Sequence, residues 1–227
     1  MKSKAEVGRI VGRAIRTIGE RIALRSGMTG TWIDVGAHEG ETTLDAALQN
    51  PGLKVYALEP NLNAAARLIG RAANYFVVPM AVAATDGYAT LNINKFEAAS
   101  SLLAMDKRAL GSWIGGKVLG VTSTITVPTV RLDTFMSLAE IQKVDYLKID
   151  TQGLDLVVVK SAGNRLRDIA KITLEVDVKP VRLYAGAPCK EEIVAFLEGS
   201  GFSLVSVEVQ SHGQEENLTF VRASRKD

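Results

Sequence analysis

Short apolar runs alternate with amphipathic, helix-like segments along most of the chain. Five of the runs are nearly continuous, as buried strands of a parallel sheet are. They cover residues 31–36, 53–59, 75–83, 144–149 and 170–176, and the helix-like segments cover 41–49, 61–73, 154–162 and 190–200. Repeated strand–helix units of this kind predict a doubly wound, Rossmann-like α/β sheet in a single domain spanning residues 1–227.

The C-terminal part departs from this parallel pattern. Residues 202–209 and 218–222 read as two strands joined by the polar turn 211–214. So short a connection favours an antiparallel last strand. Two further strand patterns, at 88–93 and 124–130, precede the fourth strand of the main series, and Pro128 is expected to interrupt the second of them.

Two segments lie outside the strand–helix series. Residues 1–28 form an N-terminal extension whose apolar positions, from Val7 to Ile22, recur at helical spacing opposite a row of arginines. The pattern predicts a helix with a solvated basic face, which could instead cap a ligand site, form a homodimer contact or attach to an anionic surface. Residues 94–123 show little periodicity and predict an irregular insertion of the kind that can form a lid.

Composition and charge narrow the class of protein. The chain has 227 residues, of which 47% are hydrophobic, and a net charge of +2, so there is no overall attraction to nucleic acid. One cysteine excludes an internal disulfide. Because no apolar stretch approaches the roughly 18 residues of a membrane-spanning helix, and no signal-peptide core is present, we expect a cytoplasmic protein without an integral membrane segment.

The turn after the first strand carries the first sign of a ligand site. It reads Asp34-x-Gly36-Ala37-x-x-Gly40, and a helix follows. A strand, a glycine turn and a helix N-terminus in this order are typical of nucleotide-like ligands, and we interpret the glycines as places where the ligand approaches the backbone. Glu59 ends the second strand, where its carboxylate can accept both hydroxyls of a ribose. These features favour S-adenosyl-L-methionine over a nicotinamide cofactor.

Further short motifs occur in order between residues 31 and 220. They are Ile33-Asp34-Val35-Gly36-Ala37 with Gly40, Leu58-Glu59-Pro60-Asn61, Ala81-Val82-Ala83 with Asp86-Gly87, Ser100-Ser101-Leu102, Val130-Arg131-Leu132-Asp133, and Asp145-Tyr146-Leu147-Lys148-Ile149-Asp150 with Gly153. As an ordered set they resemble the FkbM family of S-adenosylmethionine-dependent methyltransferases. The resemblance implies a seven-stranded methyltransferase sheet and O-methylation of a sugar, glycan or secondary metabolite. It also implies that Pro60, Ala81 and Asp86 contact the cofactor.

The chain departs from the family pattern in two places. Where the family usually continues Val-Glu-Gly-x-Glu, this chain reads Thr151-Gln152-Gly153-Leu154-Asp155. A negative charge is therefore lost at position 152, and a shorter carboxylate stands at 155. His38 occupies a position where asparagine is more usual in the family.

Methyl transfer to an alcohol needs a group that takes up the hydroxyl proton. Asp150 ends the fourth strand of the series, Glu175 lies near the end of the fifth, and His38 lies in the loop after the first. Each could accept or relay the proton, although Asp150 could instead cap the following helix. We expect no bound metal, while noting that these three side chains could ligate one. Lys148, inside a buried strand, is expected to be ion-paired.

The sequence is compatible with three functions. The first is an O-methyltransferase with a small-molecule or glycan acceptor. The second, a nicotinamide-dependent oxidoreductase, is disfavoured because the Gly-x-Gly-x-x-Gly fingerprint is missing. The third is a binding module that keeps the fold without the chemistry, an alternative that the loss of charge at Gln152 leaves open.

Overall fold

In the computed structural model, which describes residues 27–223, seven strands form one mixed sheet. They are β1 (Gly30–Val35), β2 (Leu53–Leu58), β3 (Tyr75–Val78), β7 (Tyr146–Ile149), β8 (Lys171–Asp177), β9 (Phe202–Gln210) and β10 (Glu215–Arg222). Their order is β3-β2-β1-β7-β8-β10-β9, with β10 antiparallel to both of its neighbours. The predicted doubly wound sheet with an antiparallel last strand is confirmed. The predicted N-terminal helix lies outside the described residues.

Helices cover both faces of this sheet. They are α1 (Glu41–Gln49), α2 (Leu62–Leu68), α4 (Leu132–Leu138), α5 (Asp155–Ser161) and α6 (Lys190–Gly199), while α3 (Lys107–Ser112) belongs to the insertion and packs apart from the two cores of the sheet. Because side chains alternate along a strand, Ile33 and Val35 of β1 face a core shared with α4, α5 and α6, whereas Trp32 faces a core shared with α1. None of the helices described here is long and apolar enough to cross a membrane.

A second, three-stranded sheet was not anticipated. It contains β4 (Ala81–Val82), β5 (Gly87–Asn94) and β6 (Val121–Val130), in the order β4-β6-β5. The prediction of one strand over residues 75–83 is therefore wrong. The chain turns at Pro79, where the N–H of Met80 donates to the carbonyl of Val78 at 2.8 Å, and this tight turn carries it from one sheet to the other.

Two element boundaries also differ from the predictions. Pro128 does not interrupt its strand, because β6 pairs at that point with β5 alone and leaves one edge free of the ladder. The helix predicted to reach residue 73 ends at Leu68, and Gly70 follows in the left-handed region at φ 78°. Asn61 starts that helix as expected, since its side chain accepts the N–H of Asn63.

The insertion at residues 94–123 is only partly irregular. It contains α3 and two 3₁₀ turns, Glu97–Ala99 and Gly116–Val118. Trp113 anchors it: the indole is buried against Leu183 and Tyr184, and its Nε1–H donates to the carbonyl of Val181 at 3.0 Å. The insertion is thereby held against the segment that follows β8, above the carboxyl edge of the main sheet.

Candidate active site

A cavity of about 1000 Å³ lies at the carboxyl edge of β1, β2, β7 and β8. This volume is at the upper end of the range for small-molecule sites. Residues 95–102 and parts of 110–119, from the insertion, form much of its wall opposite the sheet. The predicted site residues that line it are Gly36, His38, Glu59, Pro60, Ala81, Asp150 and Glu175.

Four residues predicted to bind the cofactor do not line this cavity. Asp34 and Ala37 are buried in the sheet and its core. Gly40 begins the helix behind the turn. Asp86 lies outside the cavity, where its carboxylate accepts the backbone N–H of Arg131 at 2.7 Å and the Thr134 hydroxyl at 3.0 Å. Asp86 therefore stabilises the start of α4 and lies away from the cavity in which the cofactor is expected.

The fold itself requires glycine at the two positions of the turn. A Cβ at Gly36 would lie 1.9 Å from the backbone oxygen of Asp150, and a Cβ at Gly40 would lie 2.8 Å from the Tyr75 hydroxyl. Both residues have positive φ, 79° and 74°. The protein itself therefore excludes side chains at these positions, and Gly36 allows the ends of β1 and β7 to meet beneath the cavity.

Glu59 organises the side of the cavity at the end of β2. One carboxylate oxygen accepts the backbone N–H of His38 at 2.8 Å, and the other accepts the backbone N–H of Asn61 at 2.8 Å. Burial raises the pKa of Glu59, although these two hydrogen bonds act in the opposite direction. The carboxylate thus connects the glycine turn to the start of α2. Each of its oxygens keeps a lone pair for a ligand hydroxyl.

His38 lies within a group of glutamates. Its Nδ1 is 3.4 Å from Glu41, and its Nε2 is 3.4 Å from Glu97. Burial alone would lower the pKa of His38, but the hydrogen bond and charge of Glu41 and the charges of Glu39 and Glu59 outweigh it, so the pKa is raised. Among the described residues, no hydrogen bond or ion pair joins His38 to Asp150 or Glu175.

In the described part of the chain, the three side chains that were considered as metal ligands, those of His38, Asp150 and Glu175, do not form one group. Within the part of the chain that the structure describes, the group whose imidazole and carboxylate atoms lie within 4.8 Å of one another is His38, Glu39 and Glu41. Asp150 and Glu175 belong to a separate group on the other side of Gly36.

Gln152 brings Asp150 and Glu175 together. In the sequence, this residue stands out only because it lacks the negative charge that is usual in the family. The Nε2 of Gln152 donates to Asp150 Oδ1 at 2.7 Å and to Glu175 Oε2 at 3.1 Å, and its Oε1 is 2.8 Å from the Tyr184 hydroxyl. On its other side, Asp150 lies 3.9 Å from Lys148 Nζ. Asp150 does not cap α5. That part of the loop is held by Asp155, which accepts the N–H groups of Thr151 and Gly153 at 3.5 and 3.3 Å.

Four carboxyl groups near Gln152 have raised pKa values. Burial, reinforced by the charge of Asp150, raises the pKa of Asp155 to about 7, and burial raises the pKa of Glu215 to about 7 and that of Asp177 to about 6. Burial among these neighbours also raises the pKa of Glu175 well above its usual range. Perturbed carboxyl groups beside a cavity are typical of functional sites.

The sequence did not point to several residues in and around the site. Glu215 could have been found from the C-terminal hairpin, because it pairs directly with Asp177. Tyr184 lies in a loop with no periodic signal, and only the tertiary structure brings its hydroxyl to Gln152. His212, expected in a distal turn, is exposed but lies at the cavity.

Comparison with known proteins agrees with this architecture. The family model described as the methyltransferase FkbM domain matches residues 34–204. The sequence matches none of the curated proteins with which it was compared.

Solved structures with a similar fold are methyltransferases of low sequence identity. Magnesium protoporphyrin IX methyltransferase from Synechocystis PCC 6803, solved with bound SAH, has a TM-score of 0.54 at 11% identity, over 98% of this chain and 89% of that one. Fibrillarin from Aeropyrum pernix, solved with S-adenosyl-L-methionine, has a TM-score of 0.51 at 13% identity, over 92% and 74%. TrmK of M. capricolum, solved with S-adenosyl-homocysteine, has a TM-score of 0.52 at 8% identity, over 93% and 68%. With the family model covering most of the sheet and the site, the chain belongs to the FkbM family of S-adenosylmethionine-dependent methyltransferases.

Proposed function

We propose that this methyltransferase transfers a methyl group to a hydroxyl of a sugar, glycan or secondary metabolite, and that Asp150 takes up the hydroxyl proton. The observation that carries the proposal is the placement of Asp150. Its side chain is 37% exposed, it lines the cavity, and it lies two strands away from Glu59 in the sheet. At about 4.8 Å per strand, the two strand ends are roughly 10 Å apart.

The cavity wall near Glu59 fits S-adenosyl-L-methionine. The remaining lone pairs of Glu59 can accept ribose hydroxyls, and the backbone at Gly36 borders the same space. Leu58, Pro60 and Ala81 offer apolar surface to a base. When bound, the cofactor supplies an electrophilic methyl group.

Asp150 has the properties of a proton acceptor for an alcohol. Its carboxylate is reachable from the cavity, and the positive charge of Lys148 lies 3.9 Å away. Gln152 donates to only one of its oxygens, so the other is available to a hydroxyl. Holding the acceptor beside this oxygen also orients it, which is a large part of what an enzyme contributes to a displacement reaction.

The other two predicted catalytic residues take different parts in the proposal. Glu175 is half-buried beside Asp150 and supports it through Gln152. His38 lies among glutamates that favour its charged form, so we assign it to the cofactor side, where its backbone N–H holds Glu59.

The wall beyond Asp150 suits a hydroxylated acceptor. Gln210 and His212 line the cavity at and just after the end of β9 and offer hydrogen-bond donors and acceptors. Such side chains match a molecule that carries several hydroxyls better than a purely apolar one.

The proposal is tested by a screen with labelled S-adenosyl-L-methionine and two panels, hydroxylated glycans and metabolites on one side and amines on the other. We expect label on the hydroxylated panel. The Asp150→Asn variant should lose at least 100-fold in turnover while its affinity for S-adenosylhomocysteine, measured calorimetrically, stays within twofold. Methylation confined to amines, or full activity of Asp150→Asn, would contradict the proposal. Cofactor binding without any methylated acceptor would favour the binding-module alternative, and thermal stabilisation by NAD alone would favour an oxidoreductase.

A further inference from the structure

Gln152 is held in an unusual conformation between two acidic side chains. Its backbone lies in the left-handed region at φ 56°, which non-glycine residues seldom adopt, and Gly153 follows at φ 98°. Both hydrogens of its amide are used, one on Asp150 at 2.7 Å and one on Glu175 at 3.1 Å. The amide oxygen faces the Tyr184 hydroxyl at 2.8 Å. The reverse orientation would turn this oxygen toward the Asp150 carboxylate, which can only accept, so Asp150 determines which way the amide points.

The charges around Gln152 come from every element that meets there. Asp150 and Lys148 belong to the end of β7, Glu175 and Asp177 to β8, Glu215 to β10, Asp155 to the start of α5, and Tyr184 to the loop after β8. Lys148 is the cation beside Asp150, with its Nζ 3.9 Å from Oδ2, and the charge of Arg182 acts on Asp177. The pKa values of the buried Asp155 and Glu215 and of the half-buried Glu175 and Asp177 are raised. Asp150 differs from these groups in its position, because it lies next to Lys148 and its side chain is partly in contact with solvent.

We propose that Gln152 is a positioning residue that orients Asp150 and Glu175 by donating one N–H to each and keeps the negative charge of the group on Asp150. The inference rests on the proposed role of Asp150. A glutamate at this position has the same length but lacks the second donor. An ionised glutamate would add a negative charge, and a protonated one could donate its single proton to either Asp150 or Glu175 but not to both. The glutamine that stands where the family usually has glutamate thus keeps Asp150 able to accept a proton among several acidic side chains.

The first test measures the acidic group directly and needs no acceptor. In protein labelled with ¹³C at glutamate carboxyl carbons and bound to S-adenosylhomocysteine, the Glu175 signal is assigned by its absence in Glu175→Gln. In Gln152→Glu the titration midpoint of Glu175 should move upward by about one pH unit or more, because a donor is replaced by an acid. Gln142→Glu adds the same group on an exposed loop and should leave that midpoint unchanged. An unchanged midpoint in Gln152→Glu would overturn the proposal.

The second test is the pH profile of methyl transfer, with the acceptor from the screen. Gln152→Glu should lose at least tenfold in kcat/KM at pH 7 and regain most of it toward pH 9. Gln152→Asn suits the left-handed backbone but is too short to reach both partners, so it should lower kcat with a smaller shift of the acidic limb. A positioning role would be refuted if Gln152→Glu lost kcat/KM equally at all pH values. It would also be refuted if Gln152→Asn kept the kcat of the wild type.

Affinity for S-adenosylhomocysteine, expected to stay within twofold in each variant, shows that the fold is intact. If Asp150→Asn keeps full activity, the proposed function fails by itself. The Glu175 titration still decides whether Gln152 controls the charge of this group.

Discussion

Lys148 and Asp34 form an ion pair inside the sheet, at directly opposed positions of the parallel strands β7 and β1. Lys148 Nζ lies 3.1 Å from Asp34 Oδ1, and the two side chains are 11% and 1% exposed. Burial alone would favour the neutral amine, but the charges of Asp34 and Asp150 outweigh it and raise the pKa of Lys148. The prediction that Lys148 is ion-paired is confirmed. The same ammonium group also lies 3.9 Å from Asp150, at the edge of the cavity.

Replacing Lys148 with methionine should destabilise the protein strongly. Asp34 would then be a buried carboxylate without its cation, and we expect a loss of about 3–5 kcal/mol in the free energy of unfolding, measured in urea. Lys143→Met removes an exposed lysine paired with Asp145 and should cost less than about 1 kcal/mol. The double variant Asp34→Asn/Lys148→Met should recover part of the loss. Equal, small losses in the two single lysine variants would contradict a structural ion pair.

Alanine at Gly36 should be far more damaging than alanine at another glycine of similar φ. Gly36 and Gly186 have φ values of 79° and 83°, but no atom lies within 4 Å of a Cβ at Gly186. Gly186→Ala should therefore cost only about 1 kcal/mol, from backbone strain. Gly36→Ala also forces the backbone of Asp150 to move and should cost more than about 3 kcal/mol or prevent folding. Thermal and urea unfolding of both variants make the comparison, and similar losses would show that φ alone demands the glycine.

Glu59→Gln should weaken cofactor binding. A carboxamide can accept only one of the two backbone N–H groups that Glu59 now holds, and its NH₂ would face the other. We expect the Kd for S-adenosylhomocysteine to rise about tenfold to 100-fold in calorimetric titrations, as the loss of a charged hydrogen-bond acceptor predicts. Glu198→Gln, on the exposed side of α6, is the matched control. An unaltered Kd in Glu59→Gln would remove this residue from the cofactor site.

The buried acids predict that stability in the absence of ligand falls as pH rises. Because the folded-state pKa values of Asp155, Asp177 and Glu215 are raised, the folded protein keeps protons that the unfolded chain releases. Their contribution is fully present below about pH 4 and is lost as pH passes through about 7. The free energy of unfolding should therefore drop by about 2 kcal/mol or more between pH 5 and pH 8.

Glu215→Gln tests the origin of that drop, because it removes one of the acids with a pKa near 7. Urea unfolding at several pH values should show a flatter profile for this variant than for wild type, while Glu198→Gln keeps the wild-type slope. A wild-type profile that rises over this interval would mean that the acids are not protonated in the folded state.

The sequence by itself determined the main sheet, its antiparallel last strand and the position of Glu59. These depend on local pattern: continuous apolar runs make buried parallel strands, a short polar turn makes an antiparallel pair, and a carboxylate at the end of a strand lies at the ligand edge. The same reasoning brought Asp150 and Glu175 to that edge, because they end neighbouring strands, β7 and β8.

Only the tertiary structure decided which side chains act on one another. Asp86 and Asp150 are both predicted site residues in the sequence. In the structure, Asp86 stabilises the start of α4, whereas Asp150 faces the cavity. Gly36, which lines the cavity, also makes room for the backbone of Asp150, a contact that the sequence does not reveal. Tyr184 reaches Gln152 across 32 positions of the chain, and the role of that glutamine depends on donors, acceptors and charges from four separate elements. Hydrogen-bond geometry and burial arise when distant segments meet, so no local pattern contains them.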